Sequence, residues 1–348
     1  MKTLKITLLC CLISSFTFAQ TVHTVDNRSQ SGAQFTLLQD AIDAAIAGDV
    51  IQIHPSATSY GNVTVGKTLN LVGLGHDPIT NDQGLTAVLS NISFFGTATN
   101  SEVRGLTINA IVQGGGTTNN IDNIHIIHNR INSAVSAGSS NGLTDSWVVE
   151  GNYFTTTGTA ISTNADGWLI KNNFMLGGVS GLNVTNLVTN NVFFSTSNSA
   201  TDVFFTNCTS TIISNNIFVT NGNMTEFGIS SNSTNLDFRN NLTYSYVGNT
   251  IVTLPGTNNL DNVNPMFTTA PTTTEDEFYD NDYNLAAGSL GLNYGTDGTD
   301  IGIFGNNFLF DTQGRPDLMP FPTSITINNN VVAPGQNLNV NFTAEQKQ

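Results

Sequence analysis

Charged side chains are scarce in this chain, and basic ones are the scarcest. Only 10 % of the 348 residues are charged, with 10 Lys or Arg against 25 Asp or Glu, and the formal net charge is −15. A chain of this kind lacks the positive surface to which nucleic acids and anionic membranes bind. We therefore expect neither as a partner.

No apolar run is long enough to span a bilayer. Lys2 and Lys5 precede the apolar residues 6–18, and the small residues Thr17 and Ala19 lie three and one positions before a cut after Ala19. This pattern is typical of a cleaved signal peptide. We predict that residues 1–19 are removed and that the protein, without a transmembrane segment, is secreted or held at the cell surface.

Cysteine is almost absent from the part that would remain. Of the three cysteines, Cys10 and Cys11 fall in the leader, and only Cys208 follows it. A single thiol forms no internal disulfide, so the stability of the fold must come from its core. Hydrophobic residues make up 39 % of the chain and include 21 Phe, which is ample for such a core. Their alternation with Gly, Asn, Ser and Thr is typical of a β-protein with many turns.

A six-residue pattern recurs along the chain: an apolar residue, any residue, a turn former, Asn, any residue and a bulky apolar residue. It spans residues 126–131, 149–154, 170–175, 188–193, 213–218 and 238–243, and residues 71–74 and 103–108 fit it without the Asn. The Asn recurs after 23, 21, 18, 25 and 25 residues. A period of this size indicates a solenoid, in which each coil buries its face on its neighbours.

Each position of the pattern has a physical interpretation. The third position tolerates positive φ and predicts a left-handed corner; it holds Gly73, Gly105, His128, Gly151, Asn172, Asn190, Asn215 and Asn240. The fourth, from Asn129 to Asn241, predicts an inward ladder of amides that bond to one another and to the corner backbone. The sixth predicts a core column. We therefore predict an all-β chain folded as a single-stranded right-handed parallel β-helix (β-solenoid).

An N-terminal helix is predicted to cap the open end of this solenoid. Residues 36–39 read as a capping box, Leu38, Ala41, Ile42, Ala45 and Ile46 form one apolar stripe, and Gly48 follows as a stop signal. We assign residues 20–48 to an N-terminal strand and capping helix and residues 49–312 to the β-helix. Residues 313–348 read as a linker and a C-terminal β tail, or as the start of a truncated second domain.

The capping helix, the strand of residues 49–53 and the Asn-rich coils resemble the right-handed parallel β-helix superfamily that includes pectate lyases. Residues 264–267, 283–285, 288–295 and 300–302 also resemble a common ending of secreted β-helix proteins, with Leu290 and Asn293 in place of its Pro and Asp. The resemblance implies the fold but no single activity, because the superfamily holds lyases, hydrolases, adhesins and non-catalytic binders. Its lyases use clustered aspartates with an Arg base, and its hydrolases use adjacent aspartates. Neither pattern occurs in this sequence.

Candidate functional residues come from neighbouring coils. Glu150 and Lys171 occupy the second, outward position of successive repeats, so they form either a surface ion pair or part of a sugar groove with Lys171 or Arg130 as a base. Asp145 and Asp166 each precede a tryptophan, Trp147 and Trp168, by two residues. Stacked tryptophans flanked by acids would suit a sugar-binding face, whereas the alternative is a repeated turn followed by a packed aromatic.

The densest acidic run covers residues 275–282 and offers Asp276, Asp280 and Asp282 as calcium ligands, with a solvated loop as the alternative. We expect no other cofactor. From these residues the leading hypothesis is a non-catalytic monomer that binds polysaccharide, a cell-surface glycan or another surface partner. The alternatives are a polysaccharide lyase or glycoside hydrolase that acts in a groove on one face, with Arg130, Asp145, Asp166 and Lys171 as candidate catalytic residues, and a structural stalk.

Overall fold

The computed structural model describes residues 20–77, 84–114, 120–136, 144–196, 203–221, 229–269, 275–316, 320–329 and 331–345. The predicted signal peptide lies outside these residues. The described chain is a parallel β-solenoid whose short strands stack coil upon coil. The prediction of a nearly all-β solenoid is confirmed.

The first row of strands extends over the length of the rod, and all of its pairings are parallel. It comprises β1 (Val22–Val25), β2 (Val50–Ile53), β4 (Asn70–Val72), β6 (Glu102–Arg104), β8 (His125–Ile127), β11 (Val148–Glu150), β14 (Leu169–Lys171), β17 (Leu187–Thr189), β20 (Ile212–Ser214), β23 (Asp237–Arg239) and β25 (Gly256–Thr257).

Two further rows branch from three longer strands near the N-terminus, β3 (Val63–Lys67), β5 (Val88–Thr97) and β7 (Thr107–Gln113). The second row comprises β9 (Arg130–Ile131), β12 (Tyr153–Phe154), β15 (Phe174–Met175), β18 (Val192–Ser195), β21 (Ile217–Thr220) and β24 (Leu242–Ser245). The third row comprises β10 (Val135–Ser136), β13 (Thr159–Ser162), β16 (Gly178–Ser180), β19 (Phe205–Thr206) and β22 (Ser230–Ser231). The five coils from β8 to β22 each contribute one strand to each of three faces.

The corners between the first and second rows have the predicted left-handed backbone. At seven corners φ lies between 53° and 66°, namely at Gly105, His128, Gly151, Asn172, Asn190, Asn215 and Asn240. The prediction of positive φ is wrong for Gly73, which is required for a different reason: a Cβ atom there would lie 2.1 Å from the carbonyl oxygen of Gly105. Its corner therefore needs a close approach of two backbones.

The inward asparagine ladder is also confirmed. From Asn152 onward, the side-chain oxygen of each asparagine accepts bonds of 2.8–3.2 Å from the backbone N–H and the side-chain amide of the asparagine one coil earlier. At the start of the ladder, Asn129 accepts the backbone N–H of Leu106. Asn129, Asn152, Asn173, Asn191, Asn216 and Asn241 are fully buried. The ladder runs one coil further than the sequence pattern, because Asn259 accepts the same two bonds from Asn241.

Helix α1 (Leu38–Ala44) is shorter than the predicted helix and has no capping box. Its N-cap is Leu37, with an extended backbone and no side-chain cap, because the Gln39 side chain instead bonds to Thr64. Leu38, Ala41 and Ile42 are buried against the first coils, whereas Ile46 lies beyond the helix and is 52 % exposed. The helix therefore covers the end of the core, as expected, with a narrower apolar stripe.

The chain turns back after β25, and residues 294–316, here called the return segment, run along the corners toward the N-terminal end of the rod. The side chain of Asn240 bonds to the carbonyl of Tyr294, that of Asn215 to Thr296, and that of Asn172 to the carbonyls of Ile303 and Gly305. Further along, a Cβ atom on Gly105 would collide with Pro316. Residues 49–312 were predicted to form the β-helix; the last parallel bridge of the described rod joins Leu242 to Leu260, and the division into domains stays a prediction.

A second hydrophobic core forms between this C-terminal part of the chain and the outer face of the second row. The rod contributes Tyr153, Phe174, Val192, Phe194, Ile217 and Leu242, and the C-terminal part contributes Phe267, Phe278, Tyr283, Ile301, Ile303 and Phe310. Phe278, in the 3-10 helix Glu275–Asp280, stacks on Tyr153 with ring centroids 3.8 Å apart. Phe267, Tyr283 and Ile301 belong to the motifs that resemble a β-helix ending, so those motifs here cover one face of the rod.

Strands β26 (Phe321–Ile327) and β27 (Val340–Glu345) form an antiparallel hairpin after the return segment. No helix among the described residues is long and apolar enough to cross a membrane.

Candidate functional site

The two tryptophans lie inside the rod. Trp147 and Trp168 are 0 % and 1 % exposed and stack on each other with ring centroids 4.9 Å apart. Their indole nitrogens donate to the carbonyls of Ile121 and Thr144, at 2.6 and 2.7 Å. The assignment of these residues as a sugar-binding face is therefore wrong in this structure, because no ligand can reach either ring while the core is intact.

Asp145 and Asp166 lie in the turns that precede the first row, and each carboxylate supports a neighbouring coil. The Asp145 carboxylate accepts the backbone N–H of Asp166 at 2.9 Å, and Asp122 accepts that of Asp145 at the same distance. The Asp166 carboxylate accepts the Asn183 side-chain amide at 2.7 Å. These contacts match the interpretation as repeated turn aspartates.

Glu150 and Lys171 face outward on adjacent strands of the first row, as predicted. They are paired in register and form an ion pair of 2.6 Å, with side chains 15 % and 21 % exposed. Ion pairs near the surface contribute at most about 1 kcal/mol to stability. Their contact identifies an ion pair, and the groove role of Glu150 and Lys171 stays a prediction.

Asp145 and Asp166 are neighbours in successive turns, whereas Lys171 and Arg130 lie on other parts of their coils. Lys171 lies at the end of its first-row strand, whereas Asp145 and Asp166 precede the start of theirs. Arg130 lies beyond the corner, in β9, with its guanidinium 5.7 Å from the centre of the Tyr153 ring. A lyase needs a base beside a cation that stabilises the anion, and an inverting hydrolase needs two carboxylates about 6.5–9.5 Å apart across a substrate. The catalytic roles of these four residues stay predictions.

The predicted calcium ligands are only partly described, since the Asp276 side chain lies outside the described set. The Asp282 carboxylate accepts the backbone N–H and the side-chain amide of Asn284, at 3.0 and 2.7 Å. The described residues contain no group of three His, Cys, Asp or Glu side chains that could hold a metal ion. Calcium binding by Asp276, Asp280 and Asp282 stays a prediction.

The third row carries a column of hydroxyl groups on its outer face. Strand pairing aligns Thr64, Ser93, Ser136, Ser162, Ser180, Thr206 and Ser231, with Val112 between the second and third of them. The residues just before them, such as Val135, Ile161 and Val179, are buried in the core. Because side chains alternate along a strand, the hydroxyl residues face outward. We call this set of seven residues the hydroxyl row.

The hydroxyl row follows the coil repeat and is uncharged. Successive members lie one coil apart, about 4.8 Å, so eight aligned positions span about 34 Å along the rod. Its N-terminal end is flanked by a ladder of exposed or half-buried amides, in which Asn91 donates to Asn62 at 2.9 Å and Asn109 donates to Asn91 at 3.2 Å. Together these groups form a strip of hydrogen-bonding groups parallel to the axis.

The hydroxyl row is not visible in the sequence, because its residues keep no fixed distance from the six-residue pattern. Ser136 follows the ladder asparagine of its coil by 7 residues, Ser162 by 10, and Thr206 by 15. A search at a constant offset therefore finds no Ser or Thr column. Only the pairing of the third-row strands aligns them.

No protein-family model matches the chain, and no curated protein sequence matches it. The fold itself defines the class: this is a parallel β-solenoid with an uncharged hydroxyl row and a face covered by its own C-terminal part. The resemblance to the pectate-lyase-like superfamily stays a prediction.

Proposed function

We propose that this protein is an exported, non-catalytic β-solenoid that binds a neutral polysaccharide along the hydroxyl row. The observation that supports the proposal is the register of seven hydroxyl residues over eight aligned positions. A polysaccharide is a polymer of hydroxyl groups, and each hydroxyl of the row both donates and accepts hydrogen bonds. A regular strip can therefore hold a regular chain by many weak contacts. The leader in residues 1–19 supports export.

Charge favours a neutral ligand over an acidic one. The chain carries a formal net charge of −15, and none of the seven residues of the row is charged. An acidic polysaccharide would meet long-range repulsion without a local cation to offset it. Neutral glucans, mannans and xylans carry no such cost.

The positions of the candidate acids and bases support a binding role over a catalytic one. Asp145 and Asp166 hold the turns of successive coils, and Lys171 is paired with Glu150. A general acid or base must be free to reach the bond that is broken, and the described contacts of these groups are structural. Turnover of pectin, alginate or chondroitin to unsaturated products, with or without Ca²⁺, would show that the catalytic alternative holds.

Binding is tested with residues 20–348 on an array of neutral and acidic polysaccharides, followed by titration calorimetry with soluble oligosaccharides. We expect binding to neutral chains, and an affinity that rises with chain length because longer chains contact more coils. Absence of binding to every neutral polysaccharide would refute the proposal.

The location of the site is tested with the double variant Ser162→Ala/Ser180→Ala. Each lost hydrogen bond costs about 0.5–1.5 kcal/mol, so we expect roughly a tenfold loss of affinity with an unchanged melting temperature. The matched control is Thr257→Ala, which removes an exposed hydroxyl from the first row. Equal affinities for the double variant and the control would place the ligand elsewhere.

A further inference from the structure

Phe95 is a large aromatic residue on the outer face of the rod, beside the hydroxyl row. It is 40 % exposed and follows Ser93 by two positions in β5, whereas Phe94 between them is buried in the core. Because side chains alternate along a strand, Ser93 and Phe95 both face outward, about 7 Å apart. The Phe95 ring therefore borders the hydroxyl row.

The ring lies on a glycine of the preceding coil. A Cβ atom on Gly66 would lie 2.6 Å from Cζ of Phe95 and 3.1 Å from each Cε, which fits an atom above the ring face and not one in line with its edge. A bulge supports this position, because the pairing of β3 with β5 shifts register between Val65 and Lys67. Since one face covers Gly66, the exposed surface of Phe95 belongs to the other face and the ring edge.

A glycine also lies beside Phe95 in the following coil. Gln113 pairs with Phe94, so the next residue, Gly114, is the neighbour of Phe95, and its backbone N–H donates to the carbonyl of Phe94 at 2.6 Å. Neither Gly66 nor Gly114 has a side chain that could cover the ring. A single exposed apolar residue is common on protein surfaces. Phe95 differs because its orientation is fixed and its neighbours along the strand are hydrogen-bonding groups.

These hydrogen-bonding groups form a compact set at the N-terminal end of the hydroxyl row. Across β5 the outward side chains Asn91, Ser93 and Phe95 offer an amide, a hydroxyl and an aromatic ring. One coil earlier, Thr64 pairs with Ser93, and Asn62 accepts a bond of 2.9 Å from the Asn91 amide. An Asn amide carries two hydrogens, and a hydroxyl both donates and accepts. A ligand on the ring therefore meets uncharged donors and acceptors on one side.

We propose that Phe95 is a platform on which a sugar ring stacks, and that it selects neutral polysaccharides whose sugars have equatorial hydroxyl groups, such as β-linked glucans and xylans. The C–H groups of these sugars form apolar faces, which the electron-rich face of an aromatic ring attracts. A sugar on Phe95 places one edge beside Thr64 and Ser93, from which the chain continues along the hydroxyl row. The furanose rings of a fructan carry substituents on both faces and offer no such surface. This inference rests on the proposed function and specifies its ligand.

The experiment is titration calorimetry of residues 20–348 with cellohexaose and with an all-fructose inulin-type hexasaccharide. We expect cellohexaose to bind more tightly, and Phe95→Ala to weaken its binding roughly tenfold, as for an aromatic residue at the centre of a binding site. Phe95→Tyr keeps the ring and should bind as the wild type does. The matched control is Phe342→Ala, the same change at an exposed phenylalanine of the C-terminal hairpin, which should leave the affinity unchanged.

Two further variants test the position of the ring. A Cβ atom on Gly66 must displace the ring, so Gly66→Ala should weaken cellohexaose binding and should add nothing to the effect of Phe95→Ala. In Phe95→Trp the new indole is exposed, whereas Trp147 and Trp168 are buried. Cellohexaose should therefore protect the fluorescence of this variant from quenching by iodide.

The results separate this inference from the proposed function. Cellohexaose binding that Ser162→Ala/Ser180→Ala weakens but Phe95→Ala does not would overturn the role of Phe95 and leave the hydroxyl row as the site. Iodide quenching of Phe95→Trp that saturating cellohexaose does not change would overturn it too, whether or not Phe95→Ala folds. A wild-type chain that binds no neutral saccharide would refute both proposals.

Discussion

Acidification should destabilise the contact between the return segment and the rod through one buried histidine. His76 is 1 % exposed; its backbone N–H donates to the carbonyl of Gln313, and its Nδ1 lies 3.0 Å from the Tyr279 hydroxyl. That hydroxyl donates its single proton to the His76 carbonyl at 2.9 Å, so Nδ1 carries the imidazole proton and Nε2 does not. A Cβ atom on Gly314 would lie 2.3 Å from Nε2. A second proton at Nε2 therefore enters a packed site.

The surroundings of His76 oppose that second proton. Burial is the largest cause, and Arg130 and His128 add positive charge nearby, so the pKa of His76 falls to about 3. Tyr279, which faces the ring, stays neutral in this range because burial raises its pKa to about 12. Since the folded-state pKa lies below the unfolded value of about 6.5, the stabilisation is complete above pH 6.5 and is lost as the pH falls toward 3.

The expected loss is about 2 kcal/mol between pH 7.5 and pH 5, from the ratio of protonated fractions in the unfolded and folded states. This window lies above the range where carboxylates contribute, because Asp26 and Asp49 have pKa values below their usual 3.8 and lose their stabilisation only in stronger acid. Urea unfolding followed by the fluorescence of the buried Trp147 and Trp168 measures the change for the rod, and limited proteolysis follows release of the return segment.

The variant His76→Gln should be less stable at neutral pH and lose most of the pH dependence in this window. The control is His125→Gln, which alters a half-buried histidine on the first row and should keep the wild-type slope. Parallel pH profiles of the wild type and His76→Gln would refute the account of His76.

Two further variants test the two cores. Asn173→Ala removes bonds to the backbone of Asn152 and to the carbonyl of Val149, and should cost about 3 kcal/mol or more in urea unfolding, against under about 0.5 kcal/mol for the exposed Asn132→Ala. Equal costs would contradict the ladder. Phe278→Ala should cost about 3–5 kcal/mol and expose the C-terminal part to protease, whereas Leu290→Ala, 58 % exposed, should do neither. Unchanged proteolysis of Phe278→Ala would argue against the second core.

The sequence predicted the features that repeat at fixed positions. The ladder asparagines and the corner residues recur within a rigid six-residue pattern, so their common environment can be inferred from a single coil. The burial of the tryptophans could also have been predicted from this pattern. Trp147 lies two residues before the buried Val149, and side chains two apart share a face of a strand. An exposed position for Trp147 is incompatible with this alternation. The outward position of Glu150, one residue after Val149, agrees with it.

The return segment could not be predicted, because its contacts join residues from 54 to 133 positions apart and leave no periodic trace in the sequence. The type of residue at each corner nevertheless matches its contact with the return segment. Asn172 binds the carbonyls of Ile303 and Gly305 with its side chain, whereas Gly151 lies where a Cβ atom would collide with Phe308. Left-handed backbone permits either residue type at a corner. The choice between Asn and Gly therefore follows the return segment, which bonds to the corner in one coil and packs against it in another.

The spacing of the strands separates the part of the rod that must stay constant from the part that can vary. From β8 to β23, each first-row strand begins five residues before the second-row strand of its coil, as from Val148 to Tyr153 and from Ile212 to Ile217. The step from the second to the third row varies from 4 residues, between Phe174 and Gly178, to 13, between Val192 and Phe205. A constant spacing is required where the return segment must meet every corner in register. Insertions in a solenoid concentrate beside the face that binds ligands. The variable spacing next to the third row therefore supports, independently of the aligned hydroxyl groups, a ligand site on that face.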